Sequence, residues 1–417
     1  MARSDKSLWN LTMGFGFIVS VGLLFTDVLV PTFAQWSDYW RLYYPCAQAL
    51  THSGGFAEVY ALVAGLPKET DQYTRILEML AVPDETFRDM PLILWALRPL
   101  SLFPVNASQA VWHVCSLVAL SYATFVMARA AAILDLDAED THDVGWACIS
   151  FTPVLLTLLQ GQMGLVFGLL PLALGYWLLT KKRAAQAGLI WALLLLKPAF
   201  LIVALANAIT QAFAKKFNCL IALVCGIGVI SLLGMLSGGG AFQTWLSSIF
   251  AFNTQPTMDP RLDISFTHAM MSLLPADNQL NMPLTILMMF VGMMIAVGGF
   301  MQLHKLAQRP NKRQDLVPFA TLVGASIVPI VVPHLPFYDL SVLAMAALVV
   351  YCMEWREHME WRVHSITRMH WLCINAYFLL FLVKREFAFP IEIVALMLVF
   401  FMRMIETVRF AAHAPDG

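Results

Sequence analysis

One carboxylate, one guanidinium and five aromatic rings fall within ten residues, Gln35 to Tyr44: Asp38 and Arg41, with Trp36, Tyr39, Trp40, Tyr43 and Tyr44. A placed carboxylate can take a proton from a hydroxyl, and a guanidinium can hold an anionic leaving group. The same residues also suit a plain membrane-exit loop, where Trp and Tyr favour the headgroup layer. Asp38 has a second structural reading as the N-cap of a helix running through Arg41 and Tyr44.

Three further polar groups interrupt apolar sequence in the same manner. Gln160-Gly-Gln162 separates two apolar runs, Lys197-Pro198 separates two more, and Pro333-His334 leads through Tyr338 to Asp339. Ionisable groups at a membrane edge are costly and tend to be functional. Each also has a structural reading. The glutamines can close a helical hairpin, Lys197 can snorkel to the interface, His334 can be a loop histidine, and Asp339 can cap a helix. No zinc-protease helix motif, phosphate loop or nucleophile elbow is present. The glycine triplet at 238–240 has no Lys-Ser/Thr after it and reads as a joint.

These groups must be positioned by a strongly apolar chain. Of 417 residues, 59% are hydrophobic and 13% charged, too little polar surface for a soluble protein of this size. The mean hydropathy is +0.70. A net charge of −1 gives no reason to expect nucleic acid as a partner. The seven cysteines are scattered without a Cys-x-x-Cys pair and read as small core residues. Apolar windows predict an all-α polytopic membrane protein of about twelve spans. They fall near 8–30, 107–128, 145–159, 163–180, 184–196, 199–213, 217–236, 283–303, 316–332, 338–353, 369–383 and 387–403. The first is read as a retained helix, because it is too long for a cleaved signal.

Basic residues in short loops set the orientation. Lys181, Lys182, Arg183, Lys215, Lys216, Lys305, Arg309, Lys312 and Arg313 fall on one side, with Arg356, Arg362 and Arg368 after them. The positive-inside rule then predicts both termini in the cytoplasm. Asp38, Gln162, Lys197 and His334 come to the outer side. The whole chain, 1–417, reads as one integral-membrane domain with two large outer segments, 31–106 and 237–282. Within the first, Met90 to Phe103 carries Arg98, Pro91 and Pro99 and is expected to be interfacial or re-entrant. The spans at 184–196 and 199–213 are short, and short helices suit a cavity floor.

Several of these steps together resemble a known family. They are Ser37-Asp38 after the first span, Tyr43-Tyr44-x-x-Ala47, Val59-Tyr60, and the Pro-containing stretch Met90-Pro91 through Pro99 to Pro104. Gly161-Gln162, Leu196-Lys197-Pro198, Pro333-His334 and Tyr338-Asp339-Leu340 complete the series. The chain looks like glycosyltransferase family 87, mannosyltransferase-like membrane proteins of the C-type superfamily. Two departures stand out: Asp89-Met90-Pro91 replaces the usual Tyr-Pro-Pro step, and the insert 61–88 is long. The resemblance implies a C-type bundle that moves a hexose such as mannose from a polyprenyl-phosphate donor. The acceptor would be a glycan or a lipid-linked sugar, at the outer face of the plasma (inner) membrane. It implies Asp38 as catalytic base, acting directly or through a divalent cation, with no other cofactor expected. Arg41, Gln162, Lys197, His334 and Asp339 would bind substrate: Lys197 with Arg41 or His334 at the phosphate, Gln162 and Asp339 at sugar hydroxyls. Membrane lipids are its other partners. The competing class is a polytopic transporter or lipid flippase, which would show mid-helix charges and inverted repeats.

Overall fold

The computed structural model describes residues 14, 18, 37–53, 90–132, 150–238, 242, 243, 245, 264–271, 281–309, 316–332, 335–345, 374–377, 402 and 405. It is helical throughout, with no strand among the described residues. Helix α1, Tyr44–Ser53, is entered through a wide turn of π geometry at Tyr39–Tyr43. Then come α2 (Leu92–Leu97), α3 (Val105–Ala132), α4 (Thr152–Leu159) and α5 (Leu170–Thr180). A second π segment, Gly164–Leu169, leads into α5. Helix α6, Ala184–Ala192, ends in a 3-10 turn at Leu193–Leu196. The series continues with α7 (Pro198–Phe213), α8 (Asn218–Gly238), α9 (Phe266–Met271), α10 (Asn281–Ala307) and α11 (Leu316–Val331). A 3-10 segment, Phe337–Val342, follows.

Among the described residues, three helices are long and apolar enough to cross a membrane: Val105–Met127, Asn218–Leu236 and Pro283–Ala307. Four apolar helices are shorter: Gly164–Thr180, Ala184–Leu196, Pro198–Phe213 and Leu316–Val331. At about 1.5 Å per residue these four reach roughly 20–26 Å, short of a hydrocarbon core of about 30 Å. Of the twelve expected spans, the described residues show three as long helices and four as short ones. Two other boundaries also differ. Within the run at 145–159, described from residue 150, helix α4 starts at Thr152, because Phe151 is extended and Pro153 sits in the first turn. The run at 338–353 begins as 3-10 rather than α. An apolar window alone cannot separate these cases from a spanning helix. The runs at 8–30, 369–383 and 387–403 fall largely or wholly outside the described residues.

Met90 to Phe103 does not form a spanning helix. Six residues of α2 stop at Arg98-Pro99, and a 3-10 turn runs to Phe103, whose extended backbone leads into α3. The prolines account for the break: Pro99 has no N–H to continue the ladder, and Phe103, before Pro104, is extended.

Among the described residues, two large cores and a small one around Phe266 and Ala269 form. The larger lies among α3 to α8, α10 and α11, with α11 buried along nearly its whole length. Close approach here depends on small residues. A Cβ on Gly188 of α6 would collide with the Cys219 carbonyl of α8, so these helices meet backbone to backbone, as small-residue membrane interfaces do. The second core joins α1 and α2 to Trp112, Met163 and Leu196. Met163 and Leu196 adjoin Gln162 and Lys197 in sequence, so this core brings the α1 segment to both polar breaks. Long apolar faces of α3, α8 and α10 stay exposed, including Val118, Ile221, Val229, Phe290 and Met294. Their size and composition match contact with lipid tails.

The hairpins give the bundle two unlike ends. Basic turns at Lys181–Arg183 and Lys215–Lys216 lie at one end, joined by His304 of α10, whose ring meets Phe213 edge-on with centroids 4.9 Å apart. Gln160–Gly164, Lys197 and the 335–342 segment lie at the other.

Candidate active site

The corner after α4 organises the site. Pairs of backbone bonds close it: Gly161 N–H to Leu158 O at 3.0 Å and Gln162 N–H to Thr157 O at 2.9 Å. This is the double-bonded helix stop that puts a left-handed residue just past the helix end, and Gly161 has φ of +62°. Closure therefore consumes backbone groups only, which leaves the Gln162 side chain available. Gly161 is also needed for space, because a Cβ there would sit 2.5 Å from the Tyr39 Cβ.

The Asp38 segment docks on this corner. Tyr39 N–H donates to Gln160 O at 3.2 Å, and Trp112 Nε1 donates to Gly161 O at 2.8 Å. The Tyr39 ring stacks on Trp112 with centroids 6.0 Å apart. The Tyr39 and Ser108 hydroxyls are bonded at 2.6 Å. Burial pushes the Tyr39 hydroxyl up to about 12, against a smaller lowering effect of the Ser108 bond. Tyr39 thus stays a neutral anchor at any working pH.

Asp38 occupies the N-cap position of the π turn but makes no side-chain cap bond. Ser37 provides the cap instead, accepting the Trp40 N–H on its Oγ at 3.1 Å. The Asp38 carboxylate is directed elsewhere: Gln162 Nε2 donates to its Oδ2. The Gln162 carbonyl in turn accepts from the Tyr43 hydroxyl at 3.1 Å. Neither the cap reading of Asp38 nor the hairpin-closing reading of Gln162 describes these side chains.

Lys197 and Asp339 meet on the other side of the same corner. Lys197 ends the 3-10 turn after α6, and Pro198 starts α7 where its missing N–H costs nothing. Its ammonium is buried, 3.8 Å from Asp339 Oδ1 and 5.9 Å from the Tyr338 ring centroid. A snorkelling lysine would be exposed, so burial replaces that reading. Asp339 is likewise no helix cap, since Pro336 holds the cap position of its segment. Thr157 ties the segment to the corner by donating to Tyr338 O at 3.0 Å. A Cβ on Gly164 would come within 3.8 Å of Asp339 Oδ1. Residues 157–164 therefore touch the Asp38 segment on one side and the Lys197–Asp339 pair on the other.

Of the six residues singled out in the sequence, Asp38 meets Gln162 and Lys197 meets Asp339, two pairs that each lie against residues 157–164. The Arg41 side chain and His334 lie outside the described residues. Tyr39, Tyr43, Ser108, Trp112 and Thr157 were missed as individuals. The spacing of Tyr39 and Tyr43, one helical turn apart, was the signal available for that pair. Among the described residues no group of three or more His, Cys, Asp or Glu side chains gathers as a metal site.

Gly161→Ala is expected to be severe. The left-handed backbone costs a side chain about 1–2 kcal/mol, and forcing the Cβ against Tyr39 about 1–3 more. The variant should lose most activity and melt at lower temperature in detergent. Wild-type melting and turnover would show that the corner is not held as described.

The family model for glycosyltransferase family 87 matches residues 90–333, more than half of the chain. Gln162 and Lys197 lie inside the matched range, Asp38 and Arg41 before it, His334 and Asp339 after it. No curated protein and no solved structure matches.

Proposed function

The chain belongs to glycosyltransferase family 87, and with it to the membrane glycosyltransferases; from that premise we propose that Asp38 is the base of a hexosyl transfer from a polyprenyl-phosphate donor. The observation that carries this reading is the corner at 157–164, which holds a half-buried carboxylate and a buried ammonium on adjoining sides. Transfer needs both kinds of group. The acceptor hydroxyl gives its proton to Asp38 as its oxygen bonds to the sugar's anomeric carbon. The bond from that carbon to the phosphate oxygen breaks, and the polyprenyl phosphate leaves with the electron pair. Lys197 faces the departing charge, aided by Arg41 or His334. Phosphate would compete with Asp339 for this ammonium. A carboxamide has a second N–H and a second lone pair, so Gln162 can bond a sugar hydroxyl while it holds Asp38. Asp339 offers an acceptor for another.

The bundle's two ends support the sidedness. Basic turns at one end favour the cytoplasm by the positive-inside rule, which puts the site end outward in a multi-pass plasma (inner) membrane protein with both termini inside. Short helices ending at Gln160 and Lys197 fit a cavity where irregular backbone is enclosed by protein. We take 1–417 as a single C-type membrane domain. Mannose is the favoured hexose, and a glycan or lipid-linked sugar the favoured acceptor. Proteoliposomes given labelled polyprenyl-phosphate mannose and a membrane-lipid acceptor extract test this. The expected outcome is a labelled acceptor with release of polyprenyl phosphate. Label that only changes leaflet would identify a flippase instead.

A further inference from the structure

We propose that Tyr43 is a positioning residue for this transfer, holding the Gln162 carboxamide in the orientation that presents its N–H to Asp38. The proposal rests on Asp38 being the base. An ionised carboxylate only accepts hydrogen bonds, so the amide nitrogen must face it. The carbonyl Oε1 then points away and needs a donor, which the Tyr43 hydroxyl supplies at 3.1 Å. The bonds run in one direction: hydroxyl to carbonyl, then amide N–H to carboxylate. In this sense they reinforce one another.

A reversed amide would set a carbonyl oxygen against the carboxylate and an N–H against the tyrosine. Tyr43 and Gln162 are each only 2% exposed, so bulk water is poorly placed to compensate. Both partners are anchored independently of Asp38. The turn carrying Tyr43 is pinned through Tyr39 to Gln160 and Ser108, and Gln162 is pinned by its own N–H to Thr157.

Among the described side chains, the nearby ionisable groups have partners of their own. Tyr39, on the same turn, is kept neutral by burial and bonded to Ser108. Lys197 and Asp339 pair with each other. Arg41 lies three residues on in the same turn. A donated bond favours the ionised carboxylate, so loosening the amide should make Asp38 harder to ionise.

The test uses the purified full chain in proteoliposomes, with rates measured across pH. Tyr43→Phe should lower kcat about tenfold and leave the donor KM within about twofold. Its acid limb should move up by about half to one pH unit. Gln162→Glu sets a second carboxylate beside Asp38 and should move the limb further in the same direction. Tyr44→Phe should leave the limb in place, because the Tyr44 hydroxyl donates to Phe103 O at 2.8 Å instead. If Tyr43→Phe keeps the wild-type limb, Tyr43 is a packing residue and the proposal fails, whatever happens to expression or KM. A limb shift of equal size in Tyr44→Phe would overturn it too. Activity surviving in Asp38→Asn is a different failure, because it removes the base on which the proposal rests.

Discussion

Asp38→Asn should transfer sugar about 10²–10⁴-fold more slowly than the unaltered chain, the range a positioned general base supplies. Asparagine keeps the size of the side chain but cannot take the acceptor proton. The fold should survive, because the Asp38 side chain caps nothing; Ser37 performs that task through Trp40 N–H. Membrane insertion and detergent melting temperature should therefore stay close to wild type. Donor binding should persist as well, since the phosphate is assigned to the Lys197 side of the corner. A folded, donor-binding, inactive protein is the expected phenotype. Full activity would remove Asp38 from the mechanism.

The second large effect concerns Lys197. Replacing it with Met leaves the Asp339 carboxylate buried without its cation, and breaking such a pair costs about 3–5 kcal/mol. Lys197→Met should lower both the melting temperature and the transfer rate, an ambiguous result on its own. The double variant Lys197→Met/Asp339→Leu separates the two roles. Replacing a buried pair by apolar residues of similar size is often neutral or stabilising. Melting should therefore recover while transfer stays lost, with a raised donor KM. If the double variant transfers at the wild-type rate, the pair is structural and the phosphate is held elsewhere.

Much of this site was legible because its residues interrupt apolar sequence. Gly161-Gln162 and Lys197-Pro198 carry the marks of a helix stop and a helix start, and the charge pattern separates the basic turns from the polar breaks. Pairing was not legible. Gln162 meets Asp38 and Tyr43 across more than a hundred residues, and nothing local to Tyr43 names Gln162 as its partner. The capping role of Ser37 was hidden for a related reason. Two adjacent residues, Ser37 and Asp38, are both good caps, and only docking onto the corner after α4 decides which side chain is used. Helix length was legible in part. The runs at 184–196 and 199–213 are short in the sequence itself, but composition reports burial, and a helix ending inside protein is as apolar as one that crosses the bilayer. Their shortness is itself informative, since α6 and α7 meet at Lys197 and α4 stops at Gln160, the two places where the site is built.

The central claim is that the corner at 157–164 is where the lipid-linked donor is held. Photolabelling tests it most directly, using a polyprenyl-phosphate sugar with a photoreactive group on the sugar and the full chain in proteoliposomes. Label should enter peptides containing 37–53, 160–164 and 335–342, and excess unlabelled donor should remove it. Label confined to the exposed faces of α8 and α10, or undiminished by competing donor, would contradict the account.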